Sequence, residues 1–336
     1  MNAFLIVRLG SLGDVIHAIP AAAALRARYP DARIDWMVDP RYVELLNLVT
    51  GLDHRIPLDP RHLLRGNRRA EVVSTLRDLR RVQYDAVIDL QGLLKSGALA
   101  RLVGARRTVG FPKTHLREPA ARFFYTQTPD PGSLPHVVYK NLALVASLGV
   151  EDLRVRFPID VPVTAAVEAV SARLSAYALV NPGAAWPNKR WPAARFGALA
   201  ARIARQHGLR SLVLWGPGEQ ALAQAVVDAS RGSAELSPET SIVDIAGLAR
   251  GARLMVSGDT GPLHIAGAVG TPLVALFGPT DPARNGPWSP DDVTVSRLAQ
   301  CVCQYERTCR RETPCIDDIG VDEVMDAIGR LMRSRV

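Results

Sequence analysis

The sequence predicts a two-domain parallel α/β fold, on three observations. Short apolar runs alternate with amphipathic segments through both halves, the pattern of strands buried beneath helices. Two of those runs break into glycine turns that open a helix, Gly10-Ser-Leu-Gly-Asp14 in the first half and Gly258-Asp-Thr-Gly261 in the second. A length of 336 residues accommodates two domains of ordinary size. In open sheets of this kind ligands bind outside the carboxyl ends of the strands, so these turns are where chemistry is expected.

In chain order, residues 4–7 read as the first strand and 8–15 as the turn opening a helix that runs to about residue 29, with Pro20 near its start or kinking it. Residues 34–38 are the second strand, 41–48 a helix and 55–58 a short extended piece. Helical spacing returns over 70–83, after a loop or short surface helix at 62–69. A strand at 84–90 leads through Gln91-Gly92 into a helix over 94–102, and 108–111 form a further short strand. Residues 112–135, rich in Pro, Arg and His, read as an ordered binding loop ahead of a helix over 136–148. A linker at 158–162 and a helix over 163–175 begin the second half, which repeats the grammar. Strands fall at 178–181 and 211–215, with a loop at 182–190 and helices over 193–207 and from 219 to 227. Residues 242–248 form a short connection. The run from Leu254, the Gly258 turn, a helix from near Pro262 and a strand at 273–277 make a βαβ unit. The expected division is a first domain over 1–160, a second over 161–320 and a terminal helix in 321–336 packing back on the first domain.

Composition narrows the functional classes. Hydrophobic residues make up 48% and charged residues 22%, values of a soluble globular protein. No apolar stretch is long enough to span a bilayer. A start that enters a strand almost at once, without a basic leader, predicts a cytoplasmic location. The formal charge of +8 is mostly arginine and suits an anionic partner: nucleic acid, a phosphorylated metabolite or an acidic membrane surface. No helix-turn-helix, zinc-finger or aromatic-platform motif supports nucleic acid.

Several residues stand where chemistry is expected. Asp14, at a helix N-terminus, reads either as a cap or as a carboxylate base held ionised by the helix dipole. Lys95, one turn into its helix, is a solvated lysine or, with Arg117 and the basic run containing Arg61, Arg65, Arg68 and Arg69, part of a receptor for a multiply anionic substrate. Lys189 and Arg190, in a loop stiffened by prolines and tryptophans, suit phosphate. Glu219 suits ribose or sugar hydroxyls, or simply favours its helix dipole. Asp259, Thr260, Gly261 and His264 cluster at a strand-to-helix turn that forms an anion cradle. All four cysteines, Cys301, Cys303, Cys309 and Cys315, fall within fifteen positions. They fit a structural Zn or Fe site, disulfides or mixed redox states, or chance, with a Cys-x-Cys spacing tighter than usual.

Phe4-Leu-Ile-Val-Arg-Leu-Gly-Ser-Leu-Gly-Asp-Val-Ile-His-Ala-Ile-Pro20, Tyr84-Asp-Ala-Val-Ile-Asp-Leu-Gln-Gly-Leu-Leu-Lys-Ser96, Arg117-Glu-Pro-Ala120, Lys189-Arg-Trp-Pro192 and Asp259-Thr-Gly-Pro-Leu-His264 together resemble the bacterial ADP-heptose:lipopolysaccharide heptosyltransferases of glycosyltransferase family 9, nearest the heptosyltransferase I branch. The resemblance implies a GT-B fold, two Rossmann-like domains facing across a cleft. It also implies inverting transfer of L-glycero-D-manno-heptose from ADP-heptose to the Kdo of Kdo-lipid A, with no cofactor for catalysis. Asp14 would be the general base. Ser11, Lys189, Glu219, Asp259, Thr260, Gly261 and His264 would bind the donor. Lys95, Arg117, Arg61, Arg65, Arg68 and Arg69 would grip the acceptor's acidic groups, with peripheral contact at the cytoplasmic face of the inner membrane. Heptosyltransferase II, another ADP-heptose-dependent transferase acting on a glycan or a protein, and a basic membrane- or nucleic-acid-binding scaffold are the alternatives. Ala184-Ala185 replaces the paired hydroxyls of some first-heptose enzymes, and the Asn181-Pro-Gly183 opening resembles the second-heptose branch.

Overall fold

The computed structural model describes residues 1–59, 61 and 69–334. The chain divides into two compact units, Met1–Asp160 and Val161–Val336.

In the first unit β1 (Ala3–Val7), β2 (Arg33–Val38), β3 (His54–Pro57), β4 (Ala86–Asp89) and β5 (Arg107–Val109) form one sheet in the order β3-β2-β1-β4-β5. Every pairing is parallel. β1 and β4 are buried at every position, which explains why they read as apolar runs rather than alternating ones, broken only by Asp89 at the end of β4. The single helix expected to follow the 8–15 turn and run to about residue 29 is two: α1 (Leu12–Ile16) and α2 (Ile19–Arg28). Pro20 cannot donate into a continuous ladder, and it sits in the first turn of α2, where no donor is needed. α3 (Val43–Asn47), α4 (Arg69–Val82), α5 (Leu94–Val103) and α6 (Val137–Ala146) complete the helices. The expected loop at 112–135 carries two 3-10 turns, Lys113–His115 and Pro119–Phe124. The second turn packs on α5, where Phe124 fills the space a side chain at Gly97 would take.

The second unit has six parallel strands, β6 (Tyr177–Asn181), β7 (Arg210–Val213), β8 (Ala234–Leu236), β9 (Leu254–Gly258), β10 (Leu273–Phe277) and β11 (Val293–Ser296), ordered β11-β10-β9-β6-β7-β8. The outer strands β8 and β11 are short and only partly buried, so they leave little pattern in the sequence. The helices are α7 (Ala165–Ser171), α8 (Ala193–His207), α9 (Gln220–Ala229), α10 (Ile242–Gly251), α11 (Gly261–Ala268), α12 (Pro282–Asn285) and α13 (Val321–Arg333). The expected short connection at 242–248 is therefore a helix. Ser241 Oγ accepts the Asp244 N–H at 3.1 Å while the Asp244 carboxylate accepts the Ser241 N–H at 2.9 Å, a reciprocal cap that starts α10.

The expected terminal helix is α13, and its Val324, Met325, Ala327, Ile328 and Leu331 lie in the second unit's own core with Trp191, Phe196 and Leu276. Its apolar stripe is one helical face, and α8, β10 and β11 cover it.

Candidate active site

Each sheet reverses its winding direction once. In the second unit this happens between β6 and β9, and the turns leaving those two strands meet there. β6 ends at Asn181, in register with Ser257 of β9. The Asn181 side-chain amide donates to Thr260 Oγ1 at 3.0 Å, Ser257 Oγ at 3.1 Å and the Gly183 carbonyl at 3.2 Å. That ties the 182–190 loop to the head of α11. Gly258 is required by the same closeness, because a Cβ there would stand 2.8 Å from the Lys189 carbonyl. Thr260 caps α11 and Gly261 opens it, so the first-turn N–H groups face the strand ends, as an anion-binding helix start does.

Asp259 is the hub. Its carboxylate is buried and accepts from Lys189 Nζ at 2.5 Å, Thr280 Oγ1 at 2.8 Å, Asn285 Nδ2 at 2.8 Å and His264 Nε2 at 3.2 Å. Burial opposes its ionisation, but the His264 hydrogen bond and the nearby His264 and Lys189 charges outweigh it and hold the carboxyl well below the usual range. A carboxylate has about four acceptor positions, and these donors occupy them. Asp259 thereby orders Lys189. Lys189 Nζ also lies 4.6 Å from the Trp186 ring centroid, a cation–π contact that fixes its stem. An ammonium has three donors and Asp259 takes one.

Glu219, the cap residue of α9, joins this edge. Its carboxylate accepts the Gly216 N–H at 3.3 Å and lies 3.6 Å from the Arg190 guanidinium. Gly183 makes room for it: a Cβ at 183 would stand 2.0 Å from Glu219 Oε2. Lys189, Glu219, Asp259, Thr260, Gly261 and His264 thus share one sheet edge, whereas Ser11 belongs to the first unit. Asn181, Thr280 and Asn285 were not foreseen. Thr280 and Asn285 follow the end of β10, the strand beside β9, and that placement was the available signal.

In the first unit the reversal lies between β1 and β4. Asp14 follows β1, and both its oxygens are engaged: Arg8 meets Oδ1 at 2.6 Å, and Ser11 gives its N–H and hydroxyl to Oδ2 at 3.1 and 2.9 Å. β4 ends at the fully buried Asp89, whose carboxylate accepts the Gln91 and Gly92 N–H groups and the Ser96 and Tyr125 hydroxyls. Burial pushes its pKa up despite those four bonds. Lys95 and Arg117 are both exposed, and Glu118, beside Arg117, accepts the Leu94 N–H at 2.7 Å. Arg61 is exposed and paired with Asp59 at 2.7 Å. Arg69 is the exposed first residue of α4, and Arg65 and Arg68 lie outside the described residues.

The four cysteines converge within the second unit. Cys301, Cys303 and Cys315 are buried, Cys309 packs against them, and none is in a disulfide. Cys303 Sγ is 3.0 Å from Cys309 Sγ and 3.9 Å from Cys301 Sγ. Burial pushes the Cys315 thiol up to about 12 and Cys303 to about 11, whereas hydrogen bonds from Cys303 and backbone N–H groups overcome burial at Cys309 and lower it. Among the described residues, as the side chains stand, no group of three or more His, Cys, Asp or Glu is spaced to hold a metal ion.

Comparison with known proteins accounts for this layout. Residues 72–314 match the family described as glycosyltransferase family 9 (heptosyltransferase). The chain is 30% identical to lipopolysaccharide heptosyltransferase 1 of Pseudomonas aeruginosa over 91% of its own length and 86% of the relative's. It is 29% identical to lipopolysaccharide heptosyltransferase 1 of Salmonella typhimurium, over 90% and 97%. Among solved structures, E. coli heptosyltransferase WaaC with ADP superposes with a TM-score of 0.80 at 25% identity, over 98% of this chain and 99% of that one. Two parallel sheets with helices on both faces, on this match, are the GT-B architecture of a glycosyltransferase. The chain belongs to glycosyltransferase family 9, the heptosyltransferases.

Proposed function

We propose that the chain transfers L-glycero-D-manno-heptose from ADP-heptose to the Kdo of Kdo-lipid A in lipopolysaccharide inner-core synthesis, the heptosyltransferase I reaction. The observation that carries the donor half is the cluster at the β6 and β9 ends, where a lysine ordered by Asp259 stands beside the start of α11. Its donors stabilise the charge that develops on the diphosphate as the glycosidic C–O bond breaks. Glu219 takes ribose hydroxyls. Asp14 is the general base: it accepts the proton of the Kdo hydroxyl while that oxygen forms a bond to the anomeric carbon from the opposite face. The electron pair of the broken bond leaves with ADP, and the anomeric configuration inverts.

Lys95, Arg117, Arg61 and Arg69 bind the acceptor's carboxylates and phosphates. The enzyme works at the cytoplasmic face of the inner membrane as a peripheral protein. No described helix is long and apolar enough to cross a membrane, while Phe123 is 88% exposed and Leu94 stands out beside the cation Lys95. The chemistry needs no metal. The four cysteines, by donor type and convergence, are the candidate ligands of a structural Zn or Fe site apart from it, whose binding would have to respace their sulfurs.

The experiment is ADP release from ADP-heptose with purified Kdo-lipid A, against panels of heptosylated core and protein acceptors. Asp14→Ala should lower turnover by about 100-fold or more, the scale of a lost general base, with ADP-heptose affinity kept within about threefold. Turnover only with an already heptosylated core or with a protein would reassign the acceptor. Normal turnover of D14A would remove the base. Binding of nucleic acid or vesicles without turnover, steeply weakened by salt, would replace the enzyme by a basic scaffold.

A further inference from the structure

We propose that Arg8 is the positioning residue of the first unit: it locks the Asp14 carboxylate to the turn that follows β4, and so sets where the acceptor's proton is received. The inference rests on Asp14 being the base. Arg8 is the residue after β1, and at 7% exposure its guanidinium is buried. A buried cation is costly unless paired, so its partners define its purpose. One terminal nitrogen meets Asp14 Oδ1 at 2.6 Å, and the other donates to the Leu90 carbonyl beyond β4. Its main chain is pinned as well, since the Arg8 N–H donates to Met37 at 3.2 Å and its carbonyl accepts the Trp36 indole at 3.2 Å.

The far anchor is equally rigid. Leu90 N–H donates to Val7 at 3.1 Å, and Asp89 gathers the next two N–H groups at 2.9 and 3.2 Å. Gln91 Oε1 accepts the Leu9 N–H at 2.8 Å, closing the loop back onto the β1 turn. A guanidinium fork reaches two acceptors in fixed geometry, which a lysine cannot do. Gluing β1 to β4 does not require it, because those strands already pair over four residues, Phe4 to Val7 with Ala86 to Asp89. What the fork adds is a fixed relation between a carboxylate on the short helix α1 and the turn feeding α5, the helix that carries Lys95.

The test is steady-state turnover of the full-length protein with ADP-heptose and Kdo-lipid A. Arg8→Met keeps the stem and removes the fork. Misplacing a base by about 1 Å costs on the order of 100-fold, so R8M should lose about that in kcat while KM and ADP affinity move less than about threefold. R8K, which keeps a charge but not the fork, should recover about a tenfold share of the loss. In the Asp14→Asn background the same R8M change should cost less than about threefold, because residues acting as one unit are not additive. If R8M does not fold, R8K alone decides: a kcat loss confined to the Asp14 background supports the lock. Unchanged kcat in R8M or R8K, or equal losses with and without Asp14, overturns it. Full activity of D14N instead overturns the base assignment and leaves Arg8 as a fold residue only.

Discussion

Replacing Asp259 by alanine removes one acceptor and strands four donors. Lys189, His264, Thr280 and Asn285 all point at its carboxylate between 2.5 and 3.2 Å. The Lys189 and Asp259 side chains are 13% and 5% exposed, so water does not readily replace the lost partner. Breaking a buried ion pair from one side costs about 3–5 kcal/mol. For a unit of this size each kcal/mol lowers Tm by about 2–4 °C, so the second unit of D259A should melt about 6–20 °C early by calorimetry. ADP affinity should fall in parallel, because Lys189 loses its anchor. Asp259's pKa is depressed in the folded protein. Its stabilisation is thus fully present above the unfolded value of about 4 and lost only as pH falls from there through the lower folded pKa. The Tm gap between wild type and D259A should therefore close in acid. A Tm within about 1 °C of wild type, or a gap that persists undiminished in acid, would refute the reading of Asp259 as an ionised hub.

Two further outcomes follow from other residues. Protein purified without oxygen should carry about one equivalent of Zn or Fe by elemental analysis, and Cys303→Ser together with Cys309→Ser should lose it. Ligation should also spread Cys303 and Cys309 from 3.0 Å to the roughly 3.8 Å of a tetrahedral thiolate shell, and metal-free protein with four reduced thiols would end that proposal. Phe123→Asp should weaken co-sedimentation with anionic vesicles about tenfold, the scale of moving an exposed aromatic out of contact, and should leave Tm unchanged because Phe123 is 88% exposed; unchanged sedimentation removes this face from the membrane contact.

What could be read in advance follows burial. β1 and β10 are covered on both faces, so each is written as an uninterrupted apolar run, and β9 opens with one, Leu254 to Val256; all three are found at once. The short outer strands β8 and β11 bury fully only Ala234 and Val295, and leave no such run. α10 was hidden for the opposite reason. Residues 245–249 are apolar or glycine, without the polar face that marks a surface helix, and only the Ser241–Asp244 cap betrays its start. The candidate residues divide the same way. Lys189, Asp259 and His264 fall in local motifs beside glycine turns. Thr280 and Asn285 reach the site from a different strand end, and Arg8 looks like any surface cation until β4 is placed beside β1. Pairwise closeness across a sheet is not written in local spacing.

The two units place their chemistry by the same rule, and this explains why the residues at those positions are so unlike. In each sheet the first strand of the unit lies beside the fourth, β1 against β4 and β6 against β9, because the winding reverses there. The turns leaving those two strands diverge to opposite faces of the sheet at its carboxyl edge, which opens a crevice floored by backbone. Whatever lines it must be held by its neighbours. In the first unit a buried guanidinium holds an exposed-edge carboxylate, Arg8 on Asp14; in the second a buried carboxylate holds a cation, Asp259 on Lys189. The ordering residue is the buried one in both, and the ordered residue has the charge the proposed reaction asks of it: negative to receive a proton, positive to receive a diphosphate. Exchanging the signs would leave each pair satisfied as a salt bridge and each site without its reaction.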